Sequence, residues 1–145
     1  MEFSVRIPFV DTLGFELLVW DGGRAEIAVQ VVDALTNSWS VVHGGVSMTL
    51  LDVVMAHAAR SPNQPGIEHS SGVVTVEMKT SFLRPGLGRL LGQGRLVHRT
   101  ASLAFCDGTI LDAQGQLVAT ASGTFKYLKG LPAGGKRIQR LDASD

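Results

Sequence analysis

Asp52 stands inside a run that is otherwise almost wholly apolar, VSMTLLDVVMAHAA, from Val46 to Ala59. Burying an unpaired carboxylate costs several kcal/mol or shifts its pKa by roughly 3–5 units. Asp52 therefore needs a partner, a cavity or a chemical role. His43 comes nine residues earlier, followed by Gly44 and Gly45 where the apolar run begins, and Asn37 lies six residues before the histidine. Free N–H groups at a helix start attract negative charge, and glycines there let another molecule approach the backbone closely. A carboxylate nearby can act as base or nucleophile while such N–H groups stabilise a developing oxyanion.

These groups act together only if the chain positions them. Residues from Gly44 or Gly45 to about Arg60 have helix length and many helix-compatible side chains, and they are apolar almost all round, which predicts a buried helix. The prolines and glycine of SPNQPG end it. Before it, Phe15–Trp20 and Arg24–Val32 read as strands around a DGG turn, a hairpin signal. After it, Gly72–Leu83, Gly88–His98, Ala101–Leu111 and Leu117–Leu128 read as strands, with RPG, HRT and DAQG between them. The order is two strands, one helix, four strands. This predicts an α+β domain over residues 1–128, a mostly antiparallel sheet curled around a central helix, with residues 129–145 a fraying tail. Such a sheet covers only part of the helix and leaves long edges, which pairing with a second subunit would cover.

The chain has 145 residues, 45% hydrophobic and 18% charged, with thirteen basic residues balancing thirteen acidic ones. That balance argues against a nucleic-acid partner. Cys106 is the single cysteine, so neither an intramolecular disulfide nor a cysteine-based zinc motif is available. No signal peptide and no apolar run of ~18–20 residues is evident, so a cytoplasmic protein without membrane association is expected.

Asn37, His43-Gly44-Gly45, Asp52 and the segment SFLRPG at Ser81–Gly86 together resemble the hotdog-fold acyl-CoA thioesterases. Among these they are most similar to the PaaI-type family associated with phenylacetate degradation. The resemblance covers roughly Leu13 to Leu128. It implies a hotdog fold and hydrolysis of an acyl-CoA, or a related pantetheine thioester, to free acid and thiol. It also implies a homodimer, with two dimers stacking into a tetramer. Carried over by position, Asp52 is the nucleophile or general base, and the Gly44 N–H polarises the thioester carbonyl. Asn37 and His43 orient the substrate and support the loop. Thr75, ten residues before Pro85, matches a Ser or Thr that holds the attacking water. Ser40 departs from the family pattern, standing where relatives often have a glycine. Coenzyme A enters as part of the substrate, so no cofactor and no metal is expected. Gly45 and Arg84 are the expected substrate contacts. The phosphates of coenzyme A need a local cation, for which Arg84 is preferred over Arg60, Arg89 and the tail lysines.

Each residue also has a structural reading. His-Gly-Gly alone is a loop and cap, Asp52 alone a hydrogen-bonded structural acid, Asn37 a turn residue and Thr75 a strand residue. His57, five positions past Asp52, reads as a core or interface histidine, and Cys106 as inert. A hotdog hydratase or dehydratase and a non-catalytic acyl-ligand binder are the alternatives to hydrolysis. The acyl group is left open between aromatic and medium-chain acids, as is direct attack by Asp52 versus activation of water. From Gly44 or Gly45 to Asp52 is seven or eight residues, roughly 10–12 Å along a helix. The reacting carbonyl must lie within ~3 Å of both groups, so the expected site joins the donor of one subunit to Asp52 of its mate.

Overall fold

Gly22 and Gly23, at φ 57° and 81°, close a two-residue hairpin between β1 (Glu16–Asp21) and β2 (Arg24–Gln30). Positive φ at both central positions gives the turn whose twist matches paired strands. In this computed structural model, which describes residues 1–64 and 72–128, the remaining strands are β3 (Gly72–Phe82), β4 (Arg89–Arg99), β5 (Leu103–Leu111) and β6 (Leu117–Leu128). They form one antiparallel six-stranded sheet in the order β1-β2-β4-β5-β6-β3. The expected tail at 129–145 lies outside the described residues. No helix among the described residues is long and apolar enough to cross a membrane.

Two elements were not anticipated. A short helix α1 (Pro8–Leu13) precedes β1, and a 3-10 turn at Asp33–Leu35 follows β2. Pro8 starts α1 and Gly14 ends it in the left-handed conformation at φ 72°. Both are ordinary helix-boundary residues, but six residues are too few to show a helical period.

The central helix α2 (Gly44–Ala59) lies on the sheet's concave face. Leu50, Leu51, Val54, Met55, Ala58 and Ala59 are fully buried, in one core with Ile27, Leu90, Ile110 and Phe125. Each large apolar side chain so buried contributes about 1.5–3 kcal/mol. The seat is cut in glycine. A methyl group on Gly94 would lie 2.4 Å from the Val54 carbonyl oxygen, so the helix backbone rests directly on β4. At its C-terminal end, Trp20 Nε1 donates to the His57 carbonyl at 2.8 Å and the Tyr127 hydroxyl donates to the Ala59 carbonyl. The Ala59 carbonyl, which the helix end leaves free, is thereby satisfied, and the His57 carbonyl gains a second donor beside the Arg60 N–H.

The expectation of a helix buried on all sides needs correction. Gly45 and Met48 are exposed, and Thr49, Asp52, Val53 and Ala56 are only half-buried. These residues form one stripe along the side turned away from the sheet, because six curved strands enclose only part of a helix. Asp52 is thus a half-buried carboxylate within the single chain. Beside the stripe runs β3, an eleven-residue edge strand with Val74, Val76 and Phe82 exposed. A long edge of this kind, with exposed apolar side chains among Thr75, Glu77 and Lys79, invites a pairing partner.

Candidate active site at the start of the central helix

The loop leading into α2 is folded by Asn37. Its Oδ1 accepts from the Trp39 N–H at 2.9 Å and the Val41 N–H at 3.4 Å, and its own N–H donates to the Val41 carbonyl at 2.9 Å. The turn throws Ser40 into the left-handed region at φ 61°. A glycine would sit here without strain, and a non-glycine residue costs roughly 1–2 kcal/mol. Next, Val42 N–H donates to the Gly86 carbonyl and His43 N–H to the Leu35 carbonyl, both at 2.9 Å. The loop is therefore tied to the turn after β3 on one side and to the 3-10 turn on the other.

His43 caps the helix with its side chain, Nδ1 accepting from the Gly45 N–H at 2.8 Å. A methyl group on Gly45 would lie 3.0 Å from that nitrogen, so glycine is what leaves the imidazole room. The His43 carbonyl accepts from Val46 and Ser47. Of the first four helix N–H groups, those of residues 45, 46 and 47 thus have partners. Gly44 N–H has none among the described residues, and a methyl group on Gly44 would lie 3.5 Å from the Phe82 ring. One donor at the positive end of the helix is left to meet an incoming oxygen.

Two turns further along α2, the Thr75 hydroxyl donates to Asp52 Oδ1 at 2.6 Å. Thr75, itself exposed, stands next to a β-bulge: the pairing of β3 with β6 skips Val76 between Thr75 and Glu77. Bulges at sheet edges commonly re-aim side chains in this way. Asp52 Oδ2 makes no side-chain or backbone hydrogen bond among the described residues.

The other sequence candidates fall as follows. Arg84 is exposed, donates one N–H to the Leu117 carbonyl at 2.8 Å and has no carboxylate partner among the described residues. Arg89 is paired with Glu16 at 2.8 Å, and Arg60 lies over the Trp20 ring at the opposite end of α2. His57 is a core histidine: its Nδ1 bonds to the Val53 carbonyl, and burial, then the charge of Arg60, push its pKa down to about 4. Cys106 is buried and its thiol is pushed up to about 12 by burial and by Asp107. A thiol so placed is protonated and inert. Phe82 is the residue whose place the sequence did not disclose. It is quoted within SFLRPG, yet only the fold shows its half-exposed ring against Gly44.

A family model for the thioesterase superfamily matches residues 40–119, which span His43, Gly44, Asp52, Thr75 and Arg84. A candidate esterase of Saccharolobus solfataricus is 26% identical over 118 residues, 81% of this chain and 81% of its own length. Among solved structures, a thioesterase family protein from Silicibacter pomeroyi superposes with a TM-score of 0.77 at 29% identity, covering 86% of this chain and 91% of its own. The E. coli PaaI protein, from the phenylacetic acid degradation operon, shares the fold with a TM-score of 0.75 at 24% identity, over 88% of this chain and 86% of its own. With a single antiparallel sheet wrapped about one long helix, as in those neighbours, the chain belongs to the thioesterase superfamily and has the PaaI-like hotdog fold.

Proposed function

We propose that this protein hydrolyses acyl-CoA, or a related acyl-pantetheine, to the free acid and the thiol. The observation that carries the reading is the pair of groups set aside on α2, the Gly44 N–H, partnerless among the described residues, and the Asp52 carboxylate held by Thr75. The thioester carbonyl accepts from Gly44 N–H, which stabilises the oxyanion as it forms. Asp52 attacks the carbonyl carbon directly or takes a proton from water held beside the Thr75 hydroxyl. Asn37 and His43 act as positioning residues, since their hydrogen bonds shape the loop and direct Gly44 outward. Phe82 stands beside Gly44, where it would border an incoming thioester.

The reading requires two subunits. Gly44 and Asp52 lie eight residues apart on one helix, so the two groups are about 12 Å apart along its axis. Side chains lean toward the helix start, which recovers only about 2–3 Å. A homodimer that sets the open stripe of α2 against its twofold mate, and pairs the β3 edges, brings the Gly44 of one subunit to the Asp52 of the other. A dimer of dimers follows the family pattern.

Free-thiol release from a panel of aromatic and aliphatic acyl-CoAs tests the activity. Asp52→Asn, nearly isosteric, should keep the fold and ligand binding while losing most turnover. Wild-type rates in that variant would remove Asp52 from the chemistry.

A further inference from the structure

Trp39 is the most exposed of the large apolar side chains among the described residues, at 83%. It is not on a loose segment. Its own N–H is bonded to Asn37 Oδ1, and its loop is pinned at Val41, Val42 and His43. A ring on a pinned backbone is held at one place on the surface, with its faces open to a flat ligand. The hydrogen bond from Val42 to Gly86 ties this loop to the turn that carries Arg84. The turn that carries Arg84, residues 80–88, contains no Asp or Glu. Arg84 has N–H groups free for an anion after its one bond to the Leu117 carbonyl.

On this basis, and resting on the thioesterase reading above, we infer that Trp39 and Arg84 receive the nucleotide end of a coenzyme A thioester. The indole stacks on the adenine and the guanidinium pairs with a phosphate. Five residues separate Trp39 from Gly44, at most about 17 Å of chain and less with the turn at Ser40. The pantetheine arm is long enough to bridge that span while the carbonyl stays on Gly44 N–H. The acyl group is poorly served by Trp39, because it needs a site shielded on all sides. A flat base needs only one face covered and can leave its other face in water. Stacking on an aromatic side chain tolerates a wet surface and contributes substantially to nucleotide affinity.

The test compares Trp39→Ala and Trp39→Phe in the full chain, on an acyl-CoA and on the matching acyl-pantetheine, which lacks the nucleotide. Trp39→Ala should raise KM for the acyl-CoA about ten- to hundredfold, with kcat little changed. For the acyl-pantetheine the change should stay within about twofold, and Trp39→Phe should recover most of the loss. Coenzyme A alone should quench the exposed indole of the wild type, with Trp20, hydrogen-bonded to the helix end, as the unresponsive fluorophore. Equal losses on both substrates would overturn the inference, as would an unchanged KM for acyl-CoA. A change of molar mass by light scattering in Trp39→Ala would also overturn it, by making the indole a subunit contact. A wild type that cleaves no thioester would instead defeat the thioesterase reading, while the quenching titration still reports on Trp39 directly.

Discussion

Mixing two inactive variants should restore activity if each site draws on two chains. Asp52→Asn removes the acid and leaves the Gly44 donor intact. Gly44→Val leaves Asp52 intact and obstructs the donor. A Cβ at Gly44 meets the Phe82 ring at 3.5 Å, an ordinary contact, and the valine γ-carbons then reach past it to crowd the donor. The α2 helix runs unbroken from Gly44 to Ala59, so no kink brings residues 44 and 52 together. At about 1.5 Å per residue they stay about 12 Å apart along the axis, against the ~3 Å each must keep from the carbonyl. In a heterodimer one site carries both defects and the other carries neither. Random reassortment of equal amounts makes half the dimers mixed, each with one good site of two, so about one quarter of wild-type activity should return. The assay is thiol release before and after subunit exchange, with exchange followed through differently tagged chains and folding checked by thermal melts. Activity no higher than the sum of the parents, once exchange is demonstrated, would place the site within one chain. A monomer by light scattering would refute the argument sooner.

Gly94→Ala should lower stability by about 3 kcal/mol, the upper part of the overpacking range, because a methyl 2.4 Å from the Val54 carbonyl must lift the helix. At this size that is a fall in Tm of roughly 6–12 °C, read by calorimetry. A Tm within a degree of wild type would show that the helix is not seated on that backbone. Ser40→Gly relieves the left-handed strain at φ 61° but adds freedom to the unfolded chain, for a net gain of up to about 1 kcal/mol and a slightly higher Tm. A lower Tm would show that Ser40 is not strained. His57 has a folded pKa of about 4, below its ordinary 6.5, so the unfolded chain binds the extra proton between those values. Stability is then fully present above about pH 6.5 and falls with acidification toward pH 4, by at most about 1.4 kcal/mol per pH unit. His57→Leu should flatten that part of the Tm–pH profile, and an unaltered slope would assign the acid sensitivity elsewhere.

What could be read before the fold was known were features carried by local pattern. Alternation and turn residues placed all six strands within two residues at either end, and Gly44 with SPNQPG bounded the helix. Features decided by tertiary contact were not legible. Gly94 looks like any strand glycine until Val54 is seen resting on it, and Phe82 looks like any apolar strand end until its ring meets Gly44. The helix seemed uniformly apolar because its open stripe, apart from Thr49 and Asp52, is built from Gly45, Met48, Val53 and Ala56. Composition cannot separate a face turned to a sheet from a face that the sheet leaves open.

The site itself lies between these cases. Its residues stand out by type and spacing, but the fold supplies the cause that joins them. Asn37 binds two N–H groups of its own loop, which forces Ser40 left-handed and delivers His43 to the cap position. His43 then occupies the Gly45 N–H, the donor next in line, and Gly44 alone is left open. The six-residue spacing from Asn37 to His43 is therefore the length of a turn that selects one donor out of four. On this account a change at Asn37 should act through the loop. Asn37→Asp, which keeps the Oδ1 acceptor, should retain far more activity than Asn37→Ala, which loses both N–H bonds. Equal loss in the two variants would mean instead that the Asn37 amide N–H groups touch the substrate, and the selecting role would pass to His43.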